Sequence, residues 1–268
     1  MGGGGPLGPR ESFGSMRALR SLAEFGSRAS RASQASLAAV RSLARRAGSD
    51  ALDALLPQQC GACARALAGS GVLCPRCTEA IPTLSVGVCA RCLAGGGEPV
   101  GCLAHPDYTV WPAWIYDPRA ELVVHALKFG GRRAIARELG PVLARAAAHL
   151  VSADLVSEIP LHRARQRERG YNQAALLAEA LSRTLGVPRL PGLLERSRAT
   201  LAQARLGGLA RRDNLQGAFR PTRPEWVRGR RIIVVDDVIT SGATLEAAMT
   251  AFQEVGAHPV AVALAWAQ

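Results

Sequence analysis

The chain has 268 residues, a formal net charge of +12, 48% apolar residues and only 4% aromatic ones. That length and apolar content suit one mid-sized globular domain with a small module beside it, and they exclude a wholly disordered chain. No run of about 18 apolar residues occurs, which excludes a helical membrane span, and the basic surplus calls for an anionic partner, phosphates or a nucleic-acid backbone.

Residues 1–59 are rich in Gly, Ser, Ala and Arg, with Glu11, Glu24 and Asp50 the acids among the first fifty. Such a composition predicts a disordered extension; an Arg- and Ser-rich transit peptide is the other reading. Leu37, Val40 and Leu43 have helical spacing within it. No secretory apolar core is present, so a cytoplasmic, reducing location is expected. Cysteines in that setting favour metal over disulfides.

Residues 60–108 hold all seven cysteines: Cys60-x2-Cys63, Cys74-x2-Cys77, Cys89-x2-Cys92 and then Cys102-x2-His105. Two intervening residues make a tight knuckle that brings both ligands to one Zn²⁺, and two knuckles close a tetrahedron with no open position. The expected sites are therefore structural. Pairing in order gives Cys60, Cys63, Cys74 and Cys77 in one site and Cys89, Cys92, Cys102 and His105 in the other. Interleaved pairing and a single occupied site are alternatives, and His105 is the weakest ligand candidate because it stands before Pro106 as a surface residue would.

From residue 109 to 268 strand and helix patterns alternate. Strands are expected at 111–116, 155–159, 232–235 and 260–266, and helices at 120–129, 134–150, 171–185 and 245–255. Alternation at that spacing means βαβ units, hence an α/β domain with a mostly parallel sheet flanked by helices. Ligands of such sheets sit at the carboxyl ends of the strands.

The sharpest local signal begins at Arg231. A run of four β-branched residues, Ile232 to Val235, delivers Asp236 and Asp237, followed by Val238 and Ile239 and then Thr240, Ser241, Gly242, Ala243 and Thr244 at the start of a helix. A small-residue loop opening a helix presents backbone N–H groups to an anion, and the hydroxyls add donors. Two carboxylates beside a phosphate cradle make sense where the ligand also carries neighbouring hydroxyls or shares a Mg²⁺. A ribose 5-phosphate meets both conditions. A Walker loop is excluded by its missing lysine, and only 31 residues follow Asp237, too few for a receiver domain. A plain strand–turn–helix is the bland alternative.

Upstream, Arg163, Arg165, Arg167 and Arg169 fall within seven residues shortly after Pro160, and between 162 and 213 eleven arginines face four acids. A planar guanidinium suits pyrophosphate because it donates in a fork. The stretch is expected as an extended loop, along which alternating arginines cannot all point one way. Arg169 with Gly170 is the preferred pair and Arg163 the second, and a merely solvated basic loop is the alternative. Lys128, the single lysine of the chain, either contacts phosphate or ends its helix.

The segment from Arg231 to Thr244 resembles the phosphoribosyl pyrophosphate (PRPP) motif of type I phosphoribosyltransferases. More of the chain is similar to one branch of them, the ComF family. Ser157-Glu-Ile-Pro160-Leu-His and then Glu168-Arg169-Gly170-Tyr171-Asn172-Gln173 resemble that family's V-P-x6-R-G-F-N-Q element. The positions Arg196, Thr200, Gln203, Leu206, Arg211, Asn214, Gly217, Ala218 and Phe219 resemble its next segment, and Leu127-Lys128-Phe129 its L-K-F. The paired cysteines match as well, with His105 where the family usually has cysteine. The resemblance runs over about residues 60–268. It implies a type I phosphoribosyltransferase-like sheet behind a double zinc ribbon, with Mg²⁺ and PRPP as ligands. Asp236 and Asp237 would hold ribose hydroxyls or metal, residues 240–244 the 5′-phosphate, and Arg169 and Gly170 the pyrophosphate. The Arg-rich stretch 196–214 would be a hood over the substrate. It also implies a link to DNA uptake or nucleotide salvage, with single-stranded DNA and competence proteins as candidate partners. A transferase acting on an unknown acceptor and a non-catalytic module that handles single strands are both compatible with these residues.

Overall fold

The computed structural model describes residues 59–67, 72–129, 133–148, 150, 152–196, 215 and 217–268. The expected N-terminal extension, apart from Gln59, and the expected hood at 196–214, apart from Arg196, lie outside the described residues. Residues Gln58–Gln268 form one compact unit.

In chain order the strands are β1 (Val88–Cys89), β2 (Thr109–Ile115), β3 (Leu155–Glu158), β4 (Leu194–Arg196), β5 (Phe219–Pro221), β6 (Arg231–Ile239) and β7 (His258–Trp266). Five form one sheet in the order β1-β2-β7-β6-β3, and β4 pairs with β5. The β2–β7, β7–β6 and β6–β3 ladders are parallel, β1 runs antiparallel against Thr109 and Val110 of β2, and β4 and β5 are antiparallel to each other. The α/β reading holds.

The central strands are buried on both sides, which is why they read as unbroken apolar runs rather than alternating ones. Ile232, Val234, Ala261 and Ala263 face one core with Leu245, Met249 and Phe252 of the helix Ala243–Glu254. Ile233, Val235, Val262 and Leu264 face the other, with Val123 and Leu127 of the helix Pro118–Phe129 and Leu177 and Leu181 of the helix Gln173–Leu185. The period of two along a strand assigns each residue to its side.

Three elements differ from the sequence reading. The helix expected over 134–150 is two helices, Ile135–Glu138 and Gly140–Ala146. Pro141 lacks the N–H that a continuous helix needs and starts a new one instead. Gly140 lets this junction approach its neighbour: a Cβ there would lie 2.6 Å from Thr184 Oγ1. The basic stretch expected as an extended loop is the helix Arg163–Arg169, capped by the His162 ring accepting from the Ala164 N–H and closed by Gly170 at φ 72°. Finally, β6 does not stop at Val235. It pairs with β7 as far as Ile239, so the acidic pair lies inside the strand.

Candidate functional site

Strand β3 ends opposite Val235, whereas β6 continues beyond it. Asp236 and Asp237 are therefore the first β6 residues past the end of β3, at the carboxyl edge where α/β sheets bind ligands. The Asp237 N–H donates to Asp236 Oδ1 at 2.8 Å, and the Val238 N–H to Asp237 Oδ1 at 2.7 Å. These local bonds fix both carboxylates against the backbone.

Across the edge, Lys128 Nζ lies 3.1 Å from Asp237 Oδ2. The helix Pro118–Phe129 carries that lysine in its last turn. Sequence alone left Lys128 undecided; the structure brings it to the acidic pair. Desolvation of the Asp236 carboxyl, with Asp237 next to it, pushes its pKa up to about 7, although the Asp237 amide, Lys128 and Arg196 act in the opposite direction. Arg196, at the end of β4, is held below the usual arginine range by burial and by Arg165, against the pull of Asp236. Arg165 and Arg196 thus join the charges of this edge. Neither stood out in the sequence, because Arg165 is one of four alternating arginines and Arg196 one of several in the Arg-rich stretch.

The loop after β6 keeps Thr240 exposed and Ser241 and Thr244 part-exposed, while Gly242 and Ala243 are buried. Gly242 has φ 71° and begins the helix Ala243–Glu254, with the Glu246 N–H donating to its carbonyl at 2.9 Å. A left-handed turn of this kind favours glycine.

The basic element stands at the same mouth. Tyr171 Oη donates to the Leu127 carbonyl at 2.6 Å, tying the Gly170 turn to the lysine-bearing helix. Arg133 stacks on Tyr171 at 4.7 Å, and Arg169 stacks on Phe129 at 5.0 Å. Asn172 caps the next helix by accepting from the Ala174 N–H and donates to the Ile159 carbonyl. Of the expected residues, Asp236, Asp237, residues 240–244, Arg169 and Gly170 are thus distributed around one edge. Arg163 belongs to the basic helix, at its first position.

The cysteine module resolves into two clusters, Cys60, Cys63, Cys74 and Cys77, and Cys89, Cys92, Cys102 and His105, each with its ligand atoms within 4.8 Å of one another. Pairing is in order. Zinc at about 2.3 Å from sulfur and about 2.0 Å from nitrogen gives tetrahedral edges of roughly 3.5–3.8 Å. Cys63 Sγ and Cys74 Sγ are 3.7 Å apart. In the second cluster His105 Nδ1 lies 3.7, 3.4 and 3.6 Å from the sulfurs of Cys89, Cys92 and Cys102. Both sets fit structural Zn²⁺, and His105 fits as a full ligand. The Cys92 N–H also points to Cys89 Sγ at 3.4 Å, as a knuckle requires.

Residues 172–268 match the phosphoribosyl transferase domain and residues 51–103 the double zinc ribbon domain. The chain is thus a double zinc ribbon joined to a phosphoribosyl transferase domain. It is 35% identical over 200 residues to DNA utilization protein YhgH of Escherichia coli O157:H7, covering 69% of this chain and 80% of that one. With competence protein F of Haemophilus influenzae it shares 34% identity over 155 residues, 55% of this chain and 67% of the relative. The chain belongs to their family, the ComF family. Among solved structures, a glutamine PRPP amidotransferase from B. subtilis aligns at 24% identity with a TM-score of 0.35, over 49% of this chain and 26% of its own. Among the described residues no helix is long and apolar enough to cross a membrane.

Proposed function

We propose that the carboxyl edge of this sheet binds PRPP with Mg²⁺ and transfers its phosphoribosyl group to an acceptor, in the cytoplasm and in the service of DNA uptake. The observation that carries this reading is the order of groups along one strand end: paired carboxylates, a glycine loop and a helix start, with Lys128 3.1 Å across from Asp237. The N–H groups and hydroxyls of residues 240–244 would take the 5′-phosphate. Asp236 and Asp237 would accept from the ribose hydroxyls, and their oxygens are the hard donors that Mg²⁺ takes. Bound there, the ion would spread the charge of the pyrophosphate as it leaves. Arg169, with Arg163 and Gly170, would face that pyrophosphate. In the reaction the bond from C1′ to the pyrophosphate oxygen breaks as one forms to the acceptor, and the chain's share is positioning and charge rather than a covalent nucleophile.

Calorimetric titration with PRPP and Mg²⁺ tests this reading on the zinc-loaded protein and on Asp236→Asn/Asp237→Asn. Binding that the double variant loses supports it; no binding by the parent protein overturns it. Pyrophosphate release with candidate acceptors then separates transfer from mere binding.

A second reading, a module that handles single-stranded nucleic acid, has one observation in its favour. Phe129 is 60% exposed, yet it stacks with Arg169 and lies 5.0 Å from the His125 ring. An aromatic face among arginines is what sequence-tolerant base stacking uses. A steep salt dependence of single-strand affinity without turnover would favour it.

A further inference from the structure

Residues in and just after the Cys89–Cys92 knuckle touch the phosphate loop. A Cβ placed on Gly242 would meet Ala90 O at 2.6 Å and Leu93 Cβ at 2.8 Å. The loop thus lies backbone-to-backbone on the short helix Ala90–Gly95, which begins directly after Cys89 and includes Cys92. Ala90 and Arg91 are the two spacer residues of that CxxC, so a metal on Cys89 and Cys92 fixes both of their ends.

Arg91 adds an electrostatic tie. Its Nε lies 3.2 Å from Glu246 Oε1. Glu246 is only 5% exposed and sits in the first turn of the helix that Gly242 opens. A buried carboxylate beneath a phosphate cradle repels the phosphate unless a cation is held against it. Arg91 is that cation. Its guanidinium stacks 3.8 Å from the Tyr108 ring centre and donates to Tyr108 Oη at 2.5 Å, and Tyr108 Oη lies 3.1 Å from Thr250 Oγ1 of the same helix. One side chain from the zinc knuckle is thus bound twice to the helix behind the loop, directly and through Tyr108.

The first zinc site is placed differently. Gly61 packs against Leu122 of the helix Pro118–Phe129, and Cys60 and Cys74 belong to the core on the other side of the sheet. It offers a built-in comparison.

We propose that the second zinc site is the seat of the phosphate loop: metal on Cys89, Cys92, Cys102 and His105 positions residues 90–93, these hold the Gly242 turn, and Arg91 is the positioning residue that neutralises Glu246. The consequence for ligand affinity rests on the PRPP reading above; the consequence for loop order does not. Metal in this site therefore governs phosphate binding through the loop that it seats.

Amide hydrogen exchange on the full zinc-loaded chain reads loop order directly. Exchange of residues 240–246 should accelerate at least about tenfold in Cys102→Ser and in Arg91→Met, with residues 232–235 of β6 unchanged. Cys77→Ser, which opens the first site, should leave the loop protected. Where Cys102→Ser fails to fold, Arg91→Met carries the test, with its melting curve as the check on folding. An unaltered loop in Arg91→Met overturns the proposal, and so does equal loosening in Cys77→Ser, which would make the effect general destabilisation. PRPP titration of the same proteins should show Arg91→Met weakened by about tenfold, or roughly 1.4 kcal/mol; equal affinities alongside a loosened loop also overturn it. Should the parent protein bind no PRPP while the exchange pattern holds, the functional reading fails and the seat of the loop stands.

Discussion

Replacing Asp236 with Asn removes a carboxyl whose ionisation the fold resists. Its pKa in the folded chain is about 7, against about 3.9 for an unperturbed aspartate. The folded state therefore holds the proton more tightly than the unfolded one. The stability this provides is complete below the unfolded value and is lost as pH rises through the folded value. Acid conditions protonate the zinc thiolates, so the practical window opens at about pH 5.5. Between there and pH 7 the slope is about 1.4 kcal/mol per unit, so the parent protein should lose roughly 2 kcal/mol that Asp236→Asn retains. Urea melts of both proteins at pH 5.5, 6.5, 7.5 and 8.5, in zinc-containing buffer without PRPP, measure the difference. It should widen with pH and level off above 7. A difference that stays constant across the range would refute the reasoning, because an ordinary surface aspartate is already fully ionised there. The same substitution should weaken PRPP binding, which makes the acid a functional group kept at a cost in stability.

Gly242→Ala should destabilise the chain by about 2–4 kcal/mol, from the left-handed backbone plus a methyl forced against Ala90, read as a shifted urea midpoint at unchanged slope. Lys128→Met removes the cation beside Asp237 and should lower PRPP affinity about tenfold in calorimetry, since the acidic pair then faces the ligand with one cation fewer; undiminished affinity would remove Lys128 from the site. Elemental analysis should find two zinc ions per chain, and His105→Ala should retain one tightly, because its Nδ1 completes only the second cluster. Phe129→Ala should reduce single-strand affinity several-fold in anisotropy titrations if bases stack on that ring, and should leave it unchanged if only phosphates are contacted.

Much of the fold was legible because its signals are local. The β-branched run at 232–235 and the apolar run ending at Trp266 could only be buried strands, and Asp236 to Thr244 announced a phosphate-type turn. Knuckle spacing revealed the metal but not its partition, since four similar pairs allow several combinations until the chain is folded. The basic helix was missed for a different reason. Arginine at every second position from 163 to 169 looks like an extended strip, and a solvent-exposed helix has no apolar face to contradict it. His162 as a cap and Gly170 as a terminator were the signals available. The Arg91–Glu246 pair spans 155 positions, and nothing in local spacing can disclose it. Lys128 was likewise ambiguous until its helix was placed beside β6.

The zinc ribbons supply part of both cores of the sheet: Val88, Cys89 and Ala90 on one side, Cys60, Leu73 and Ile81 on the other. The place where cysteine spacing gives way to strand and helix patterns, near residue 108, is therefore no seam for cutting. A fragment beginning at Thr109 would bare apolar surface on two faces at once, and a fragment ending there would carry ribbons with nothing to lean on. Grafting either half onto a relative means matching interior surfaces as well as joining chains, because the two halves share one interior.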